Sequence, residues 1–461
     1  MVALAFVLGC LQVGPPVSFE DKVLSSIPEG VEAGDILFSP DGRQVTYRFR
    51  QGGKGYVMVN QAKGPAFDAI LDAPRFGPDG RTVYYRGKSG AVISVVVGGK
   101  AEQGFEQVGI PVLSLDGKRA AYAAAGARSG GLAGGQAWGV MVGGRKFGGD
   151  FLHVGTPAFS PSGDNWAVAV RIPKGVAGAG AARNKEFVLQ DGKPGPEFDR
   201  IEDLVLSPAG GTAAYRARQG INVGLDEKWS MVVGTKSGAT HPVLGAPRFT
   251  SDGRLVYMAG SGTKQFVVVD GTRGEEYDTV GTLVFSPDGR SVAHAASRDG
   301  KSFIVVDGKP LEPFESVQDP VFSPDGRQVA YSVSRQGKAV MMTGDKPGEA
   351  LDLMGPPVWS PDSKKTAHMG MWKNLFIMVV AGARSEPFET VGTPAWSPDS
   401  ARAAFAAKKE NRNHMVINYR KSEEVYDELF GAPAFSPDGK KVAFGARKGK
   451  DLLWRVLEVK E

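Results

Sequence analysis

The sequence predicts an all-β fold, a β-propeller built from about eleven four-stranded blades. The first observation is a recurring segment, Phe-Ser-Pro-Asp-Gly-Arg-x-Val-Ala-Tyr, whose copies begin 36 to 47 residues apart. A fixed period in this range indicates an array of one supersecondary unit. The second observation is that no long amphipathic helical pattern occurs. The copies begin at Phe38, Phe76, Leu113, Phe159, Leu206, Phe249, Phe285, Phe322, Trp359, Trp396 and Phe435.

The repeat from Asp319 to Thr343 shows how one unit is built. Pro-Val-Phe-Ser is a strand, the turn runs from Ser323 to Gly326, and Gln-Val-Ala-Tyr-Ser-Val returns. Proline presets φ at the first turn position, and Gly326 accepts the positive φ that the turn requires. A second hairpin follows in each repeat. Four antiparallel strands in about 40 residues are typical of a propeller blade.

The run Phe/Trp-Ser-Pro-Asp-Gly/Ser-Lys/Arg, followed by Val/Ala-Ala-Tyr/Phe/His, resembles the TolB-like, WD-related propeller repeats of bacterial envelope proteins. The resemblance covers roughly residues 31 to 461. It implies a propeller and an envelope location but no particular activity, since propellers host binding, scaffolding and catalysis. We expect neither the α/β domain that precedes the repeats in TolB nor the hydrolase domain of prolyl oligopeptidases. Four turns have lost the consensus Asp or Gly, at Ser162, Ala209, Ser363 and Ser400.

Propellers typically have 4 to 8 blades, so eleven repeats favour two tandem rings over one large closed ring. Residues 1–30 are interpreted as a signal-like or lipoprotein-like terminus and linker, 31–245 as blades 1 to 5, and 246–461 as blades 6 to 11. The boundary is placed near Gly245 because repeats 6 to 11 are evenly spaced, whereas repeats 3 to 5 are longer and degenerate.

The alternative is a single propeller over residues 31–461. The chain starts with an apparent outer strand around Val31 and ends after a third strand, Leu452 to Val459. This offset would let the two termini share one blade. It is compatible with either number of rings.

The amino terminus carries the only targeting information. Val7-Leu8-Gly9-Cys10 resembles a bacterial lipoprotein processing site, and Cys10, the sole cysteine, is a lipidation candidate. A full signal needs a basic start and a longer apolar stretch, which would lie upstream of this sequence. We expect a periplasmic or cell-envelope protein, with or without a lipid anchor; a cytoplasmic location is the alternative. No apolar run approaches the roughly 18 residues of a membrane span.

Motifs for catalysis, metals and cofactors are missing from the sequence. It contains no Gly-x-Ser-x-Gly elbow, His-Glu-x-x-His pair, EF-hand loop or cysteine cluster. His294 and His368 stand where other repeats have a second-strand tyrosine, and Trp359 and Trp396 replace the first-strand Phe. These four residues are therefore predicted to lie in the core. Neither a cofactor nor a metal site is predicted.

Four aspartates precede first strands, where a propeller opens into its channel. Converging carboxylates there would bind a cation or act as acid and base. This arrangement is the enzyme alternative, a propeller hydrolase or lyase. The simpler interpretation is that the four aspartates cap strand ends. Two arginines occupy a first-strand position that is Val, Leu or Ala elsewhere, so each needs a partner or access to the channel. The candidates are Asp35, Asp72, Asp203, Asp319, Arg75 and Arg248.

Blades 3 to 5 have extended loops between the second and third strands, at residues 127–138, 173–185 and 216–229. Long loops on a rigid scaffold often bind partners, and loops of consecutive blades should cluster. The tryptophans at two loop exits would be aromatic anchors, or would pack on the third strand. The candidate partner-binding residues are Trp138, Trp229, Arg183, Lys185 and Arg218.

The second-to-third loops are also rich in Lys and Arg, while acids concentrate on outer strands. With a net charge of +5 and a pI near 9.0, a basic loop face would suit an anionic polymer; an ordinary solvated surface is the alternative. The sequence thus predicts a non-enzymatic binding or scaffold propeller of the envelope with a protein partner, of unknown oligomeric state. The basic loop residues are Arg50, Lys54, Lys88, Arg298, Lys301, Arg335, Lys338, Lys373, Lys408, Lys409, Arg412, Arg447, Lys448 and Lys450.

Overall fold

The structure, a computed structural model, describes residues 16–126, 137–173, 184–208, 211–220 and 228–459. In these residues every regular element is a β-strand, and the strands form eleven antiparallel sheets. Each sheet is a four-stranded propeller blade. Most blades have a first strand that is interrupted, so that two short segments pair with the same second strand. The predicted all-β propeller fold is confirmed. Within these ranges, no helix has the length and hydropathy needed to span a membrane.

Contacts group the chain into two compact units. Unit A comprises Val31–Leu37 and Thr46–Glu276, and unit B comprises Met1–Gly30, Phe38–Val45 and Tyr277–Glu461. The division of the chain at residue 245, and the alternative of a single propeller, stay predictions.

The strands of blades 1 to 6 follow one another in chain order. Blade 1 has Gly34–Phe38, Val45–Gln51, Lys54–Val59 and Ala62–Lys63; blade 2 has Ala69–Ile70 with Arg75–Phe76, Val83–Ser89, Val92–Val97 and Lys100–Ala101; blade 3 has Gln107–Val108 with Val112–Leu113, Ala120–Gly126, Ala137–Val142 and Arg145–Phe151; blade 4 has His153–Val154 with Ala158–Phe159, Trp166–Ile172, Lys185–Gln190 and Lys193–Phe198; blade 5 has Arg200–Leu206, Ala213–Arg218, Trp229–Val233 and Lys236–His241; blade 6 has Val243–Leu244 with Arg248–Phe249, Leu255–Ser261, Lys264–Val269 and Thr272–Arg273.

The strands of blades 7 to 11 follow the same order, except that blade 11 takes its fourth strand from the amino terminus. Blade 7 has Thr279–Val280 with Val284–Phe285, Val292–Arg298, Lys301–Val306 and Lys309–Pro310; blade 8 has Ser316–Val317 with Val321–Phe322, Val329–Arg335, Lys338–Thr343 and Lys346–Leu351; blade 9 has Leu353–Met354 with Val358–Trp359, Thr366–Trp372, Leu375–Val380 and Ala383–Arg384; blade 10 has Thr390–Val391 with Ala395–Trp396, Ala403–Lys409, Arg412–Ile417 and Arg420–Lys421; blade 11 has Glu428–Phe435, Lys441–Lys448, Asp451–Glu458 and Lys22–Ser26.

The two termini share blade 11, as the sequence predicted, but the amino-terminal strand is Lys22–Ser26 and not a strand around Val31. The segment around Lys22–Ser26 is held against blade 11 because Leu24 is buried and the indole of Trp454 donates a hydrogen bond to Ser18 O at 2.8 Å. The Trp454 ring lies against Gly42, where an added Cβ would come within 1.9 Å of it. Residues 28–33 then lead into blade 1.

The turn between first and second strands is held by a buried serine. In blade 8, the hydroxyl of Ser323 donates to Asp325 Oδ1 at 2.6 Å and accepts from Gln328 N at 3.0 Å. Gly326 has φ +71° and donates its N–H to Ser323 O at 2.9 Å. The predicted turn and its positive φ are confirmed.

The substituted turns of blades 9 and 10 have not lost their geometry. Ser363 and Ser400 keep a positive φ of 61° and 60° in the place of glycine. Their hydroxyls accept hydrogen bonds from Asp325 N and Asp362 N of the preceding blade, both at 3.0 Å. In blade 4, Ser162 pairs with the Ser160 hydroxyl at 3.0 Å. Ala209 lies outside the described residues.

The core lies between successive blades and includes the residues predicted from the repeat. His294 and His368 are 4% and 5% exposed on their second strands. Burial lowers the pKa of both imidazoles, that of His368 to about 4. Trp359 and Trp396 are buried and donate their indole N–H groups to Val321 O and Val358 O of the preceding blade.

Candidate functional site

Asp72, one of the first-strand candidates, is bound by an arginine of its own blade. Arg86, on the second strand, donates Nε to Oδ2 at 2.6 Å and Nη2 to Oδ1 at 2.8 Å. Its remaining Nη1 donates to Val108 O of blade 3 at 2.5 Å. The hydrogen bond to Asp72 raises the pKa of Arg86. The pair therefore joins two blades, which is a structural role for the carboxylate.

Blade 5 repeats this arrangement. Arg216 donates Nε to Asp203 Oδ2 at 2.5 Å, Nη2 to Glu202 Oε2 at 2.8 Å and Nη1 to Leu244 O of blade 6 at 2.6 Å. In blade 1, Arg48 pairs with Asp35.

Asp35 and Asp203 have φ near +54°, a conformation that only Asn, Asp and Gly adopt at low cost. The sequence did contain a signal for these pairs. An arginine follows the second-strand tyrosine in blades 1, 2 and 5 and in no other repeat.

The other first-strand candidates are placed differently. Asp319 and Arg75 are exposed, and Arg248 is half-buried beside Val256 in the strand register. In the described part of the chain, no three His, Cys, Asp or Glu side chains are placed to hold a metal ion. The structure thus gives three of the four aspartates an arginine partner in their own blade.

The tryptophans at the ends of the extended loops lie on third strands. Trp138 is half-buried and packs with Phe151 in the core between blades 3 and 4. Trp229 is half-buried with Arg216 and Arg218 at 5.1 and 5.6 Å from its ring. Both residues thus lie on third strands, and their contact with a partner stays a prediction.

The remaining partner-binding candidates fall at the edge of these loops. Lys185 Nζ lies 2.7 Å from Asp199 Oδ1, in an ion pair that is mostly buried. Arg183 lies outside the described residues, as do Cys10 and half or more of each loop. That the loops bind a partner stays a prediction.

Most of the basic loop residues have acidic partners. Lys54 Nζ lies 2.6 Å from Asp68 Oδ1, and Lys338 Nζ lies 2.6 Å from Asp352 Oδ1. The hydrogen bond from Lys54 lowers the pKa of Asp68. These acids follow the outer strands, so folding brings part of the charge of the loops and of the outer strands into ion pairs. The same holds for the pairs Arg335 with Glu312, Lys408 with Glu389, Lys409 with Glu386, Arg447 with Glu428, Lys448 with Glu424 and Lys450 with Glu29.

A cleft of about 610 Å³, here called the cleft between blades 3 and 4, opens in unit A at the end of the blades where the Ser-Pro-Asp-Gly turns lie, and residues after the outer strand of blade 2 complete its wall. Its size is within the range of sites for small molecules and peptide side chains. Its walls combine cations, aromatic rings and one carboxylate. They include Glu102, Gln103, Lys118, Arg119, Arg145, Phe147 and Trp166.

Three of the charged groups of this cleft contact aromatic rings or a hydroxyl group. The guanidinium of Arg119 lies 5.4 Å from the Phe159 ring centre, and that of Arg145 lies 5.1 Å from Phe147. Glu102 accepts a hydrogen bond from the Tyr122 hydroxyl at 2.6 Å, and burial raises the pKa of that tyrosine. Among the described residues, neither arginine has an ion-pair partner.

Sequence reasoning did not select this cleft. Other repeats also carry Lys or Arg at the position of Arg119, as in Lys365 and Arg402, and at that of Arg145, as in Lys193. Only the packing of the outer strands shows which of these cations remain unpaired.

Comparison with known proteins finds no matching family model and no matching curated protein. Among solved structures, the chain is similar to the crystal structure of a eukaryotic initiation factor, with 13% identity and a TM-score of 0.39 over 75% of this chain and 96% of that one. It is similar to the β-propeller domain of the Trilobed protease from Pyrococcus furiosus, with 13% identity and a TM-score of 0.28 over 57% and 95%. A putative TolB from Agrobacterium tumefaciens has 17% identity and a TM-score of 0.23 over 41% and 80%.

Proposed function

We propose that this protein is a non-enzymatic binding or scaffold propeller of the bacterial cell envelope, and that its partner is a protein. The observation that carries the proposal is the state of the first-strand acids. A propeller hydrolase or lyase would need free carboxylates there, whereas Asp72 and Asp203 each accept hydrogen bonds from an arginine that also bonds to the next blade. Such groups support a rigid surface.

The envelope location rests on two features of the sequence, the resemblance of the repeats and the Val7-Leu8-Gly9-Cys10 segment. Expression of the full-length protein with metabolic labelling by a palmitate analogue tests it. We expect the protein in the envelope fraction, with label that is lost in Cys10→Ser. Recovery in the cytoplasmic fraction would contradict the proposed location.

The binding function is tested by affinity capture with the full chain immobilised. Envelope and cytoplasmic extracts are passed over it in parallel, and the same chain unfolded by heat serves as the control. We expect one or a few envelope proteins to be retained in stoichiometric amount by the folded chain alone. Equal retention by the unfolded chain, or no retention, would contradict the proposal.

A further inference from the structure

Two clefts lie at related places in the repeat, one between blades 3 and 4 and one between blades 9 and 10, and they differ in the outer turn of the second blade. The cleft between blades 9 and 10 is about 230 Å³, and Tyr419 stands in its wall. The Tyr419 hydroxyl donates to Val380 O and Ala383 O of blade 9, at 3.1 and 3.2 Å, and so closes that cleft. Gly192 occupies the same turn position in blade 4. Gly192 adds no side chain beside Phe147, which lines the cleft between blades 3 and 4, here called the open cleft.

The open cleft also differs in its cations from the closed cleft between blades 9 and 10. Lys365 of blade 9, at the position of Arg119, donates to Ser400 O at 3.0 Å. Ala383 stands at the position of Arg145 and carries no charge. In the open cleft both positions hold guanidinium groups that lie on aromatic rings and contact no carboxylate within the described residues. A fork of N–H donors in this state suits a carboxylate in a bidentate contact.

A free strand edge adjoins the same cleft. Arg145–Phe151 is the fourth strand of blade 3, and its outer edge pairs with no described strand. The fourth strand has six residues in blades 4, 5 and 8 and two residues in blades 1, 2, 6, 7, 9 and 10. A seven-residue edge offers backbone donors and acceptors to an added strand, which is a common mode of peptide binding. Arg145 and Phe147 belong to this strand and also line the cleft.

We propose that the cleft between blades 3 and 4 binds an extended acidic peptide segment of the partner protein. Its carboxylates pair with Arg119 and Arg145, and its backbone runs beside the edge of Arg145–Phe151. Glu102, which accepts the hydrogen bond from Tyr122, lines the same cleft and disfavours a segment that is acidic along its whole length, so we expect acidic residues separated by small neutral ones. The inference rests on the proposed function, because it identifies the surface that performs it.

The test is fluorescence anisotropy with a labelled peptide that alternates glutamate and glycine. Peptides with glutamine or lysine in place of glutamate are the ligand controls. We expect the glutamate peptide alone to bind, and binding to weaken roughly tenfold or more in Arg119→Met and in Arg145→Met, since each loses a charge-assisted contact. Arg327→Met is the matched control, because it removes one exposed turn cation of blade 8 and should leave affinity unchanged.

A second variant closes the cleft and leaves both arginines in place. Gly192→Tyr copies the turn of blade 10, where Tyr419 has φ +66°. The added Cβ would lie 3.2 Å from Phe147, so its side chain starts at the cleft wall. We expect at least tenfold weaker binding with a far-ultraviolet spectrum like that of the wild type. Unchanged affinity in Gly192→Tyr and in Arg119→Met, or equal binding of the glutamine peptide, would overturn the proposal.

Capture experiments separate this proposal from the proposed function. If an envelope protein is retained equally by the wild type and by Gly192→Tyr, the cleft assignment is wrong and the binding function stands. If the glutamate peptide binds as described but no envelope protein is retained, the cleft assignment stands and the proposed function is wrong.

Discussion

Protonation of His368 should destabilise the fold in mild acid. The imidazole is 5% exposed on the second strand of blade 9, and its Nδ1 has no hydrogen-bond partner among the described residues. Burial lowers its pKa from 6.5 to about 4, because the charged form loses its hydration. In blades 10 and 11 the same position holds Phe405 and Phe444, so His368→Phe is compatible with the repeat.

The magnitude follows from linkage. A pKa about 2.5 units below the unfolded value corresponds to about 3 kcal/mol, at about 1.4 kcal/mol per unit. Because the folded pKa is the lower one, the unfolded chain binds the proton first as the pH falls. The stability linked to His368 is therefore complete above pH 6.5 and is lost as the pH falls toward 4.

The assay has two parts. Titration of the histidine Cε1–H resonances, with the His368 signal identified by its loss in His368→Phe, should show a pKa near 4. Urea unfolding of both proteins between pH 7.5 and 4 should show a difference in the free energy of unfolding that grows by about 3 kcal/mol in favour of His368→Phe. A pKa near 6.5, or a difference independent of pH, would refute the burial argument.

Three further predictions concern the turns, the ion pairs and the basic loops. Gly326→Val should lower the free energy of unfolding by about 1–3 kcal/mol, and by more than Gly337→Val does. Both glycines have φ near +72°, but of the two only Gly326 would bring a Cβ against a neighbour, Ser286 at 3.2 Å. Equal losses of stability in urea unfolding would count against that contact. Asp72→Asn should lower it by about 1–3 kcal/mol because Arg86 loses its partner, and unchanged stability would make Asp72 a catalytic candidate again. If the basic loops bind heparin at low salt, affinity should fall steeply with added salt; absence of binding would leave a solvated surface.

The repeat predicted the fold because its signals are local. Proline and glycine at fixed positions set the turn, and alternating apolar residues set the strands, so blades could be located without knowing their neighbours. The buried histidines and first-strand tryptophans were found in the same way, by their position in the repeat. The predicted outer strand around Val31 was wrong in position because Lys22–Ser26 is recognised only through its pairing with Asp451–Glu458.

The sites were harder to predict because they depend on contacts between blades. Ser363 and Ser400 looked like losses in the sequence, although each hydroxyl bonds to the preceding blade. Asp72 looked like a free carboxylate because Arg86 is fourteen residues away in the chain and beside it in the sheet. The loops looked uniformly basic in the sequence because the acids that pair with their lysines and arginines follow outer strands. Charges can be counted in a sequence, but their pairing is decided by packing.

The measurement that tests the account most directly is photo-crosslinking in cells. A benzoylphenylalanine is placed at Gln103, on the rim of the cleft between blades 3 and 4, and at Lys309, an exposed outer-strand position of blade 7, as the control. We predict one protein cross-linked from Gln103 alone, through an acidic segment, and loss of that product in Gly192→Tyr. The same products from both positions, or a product from Gln103 that persists in Gly192→Tyr, would contradict the account.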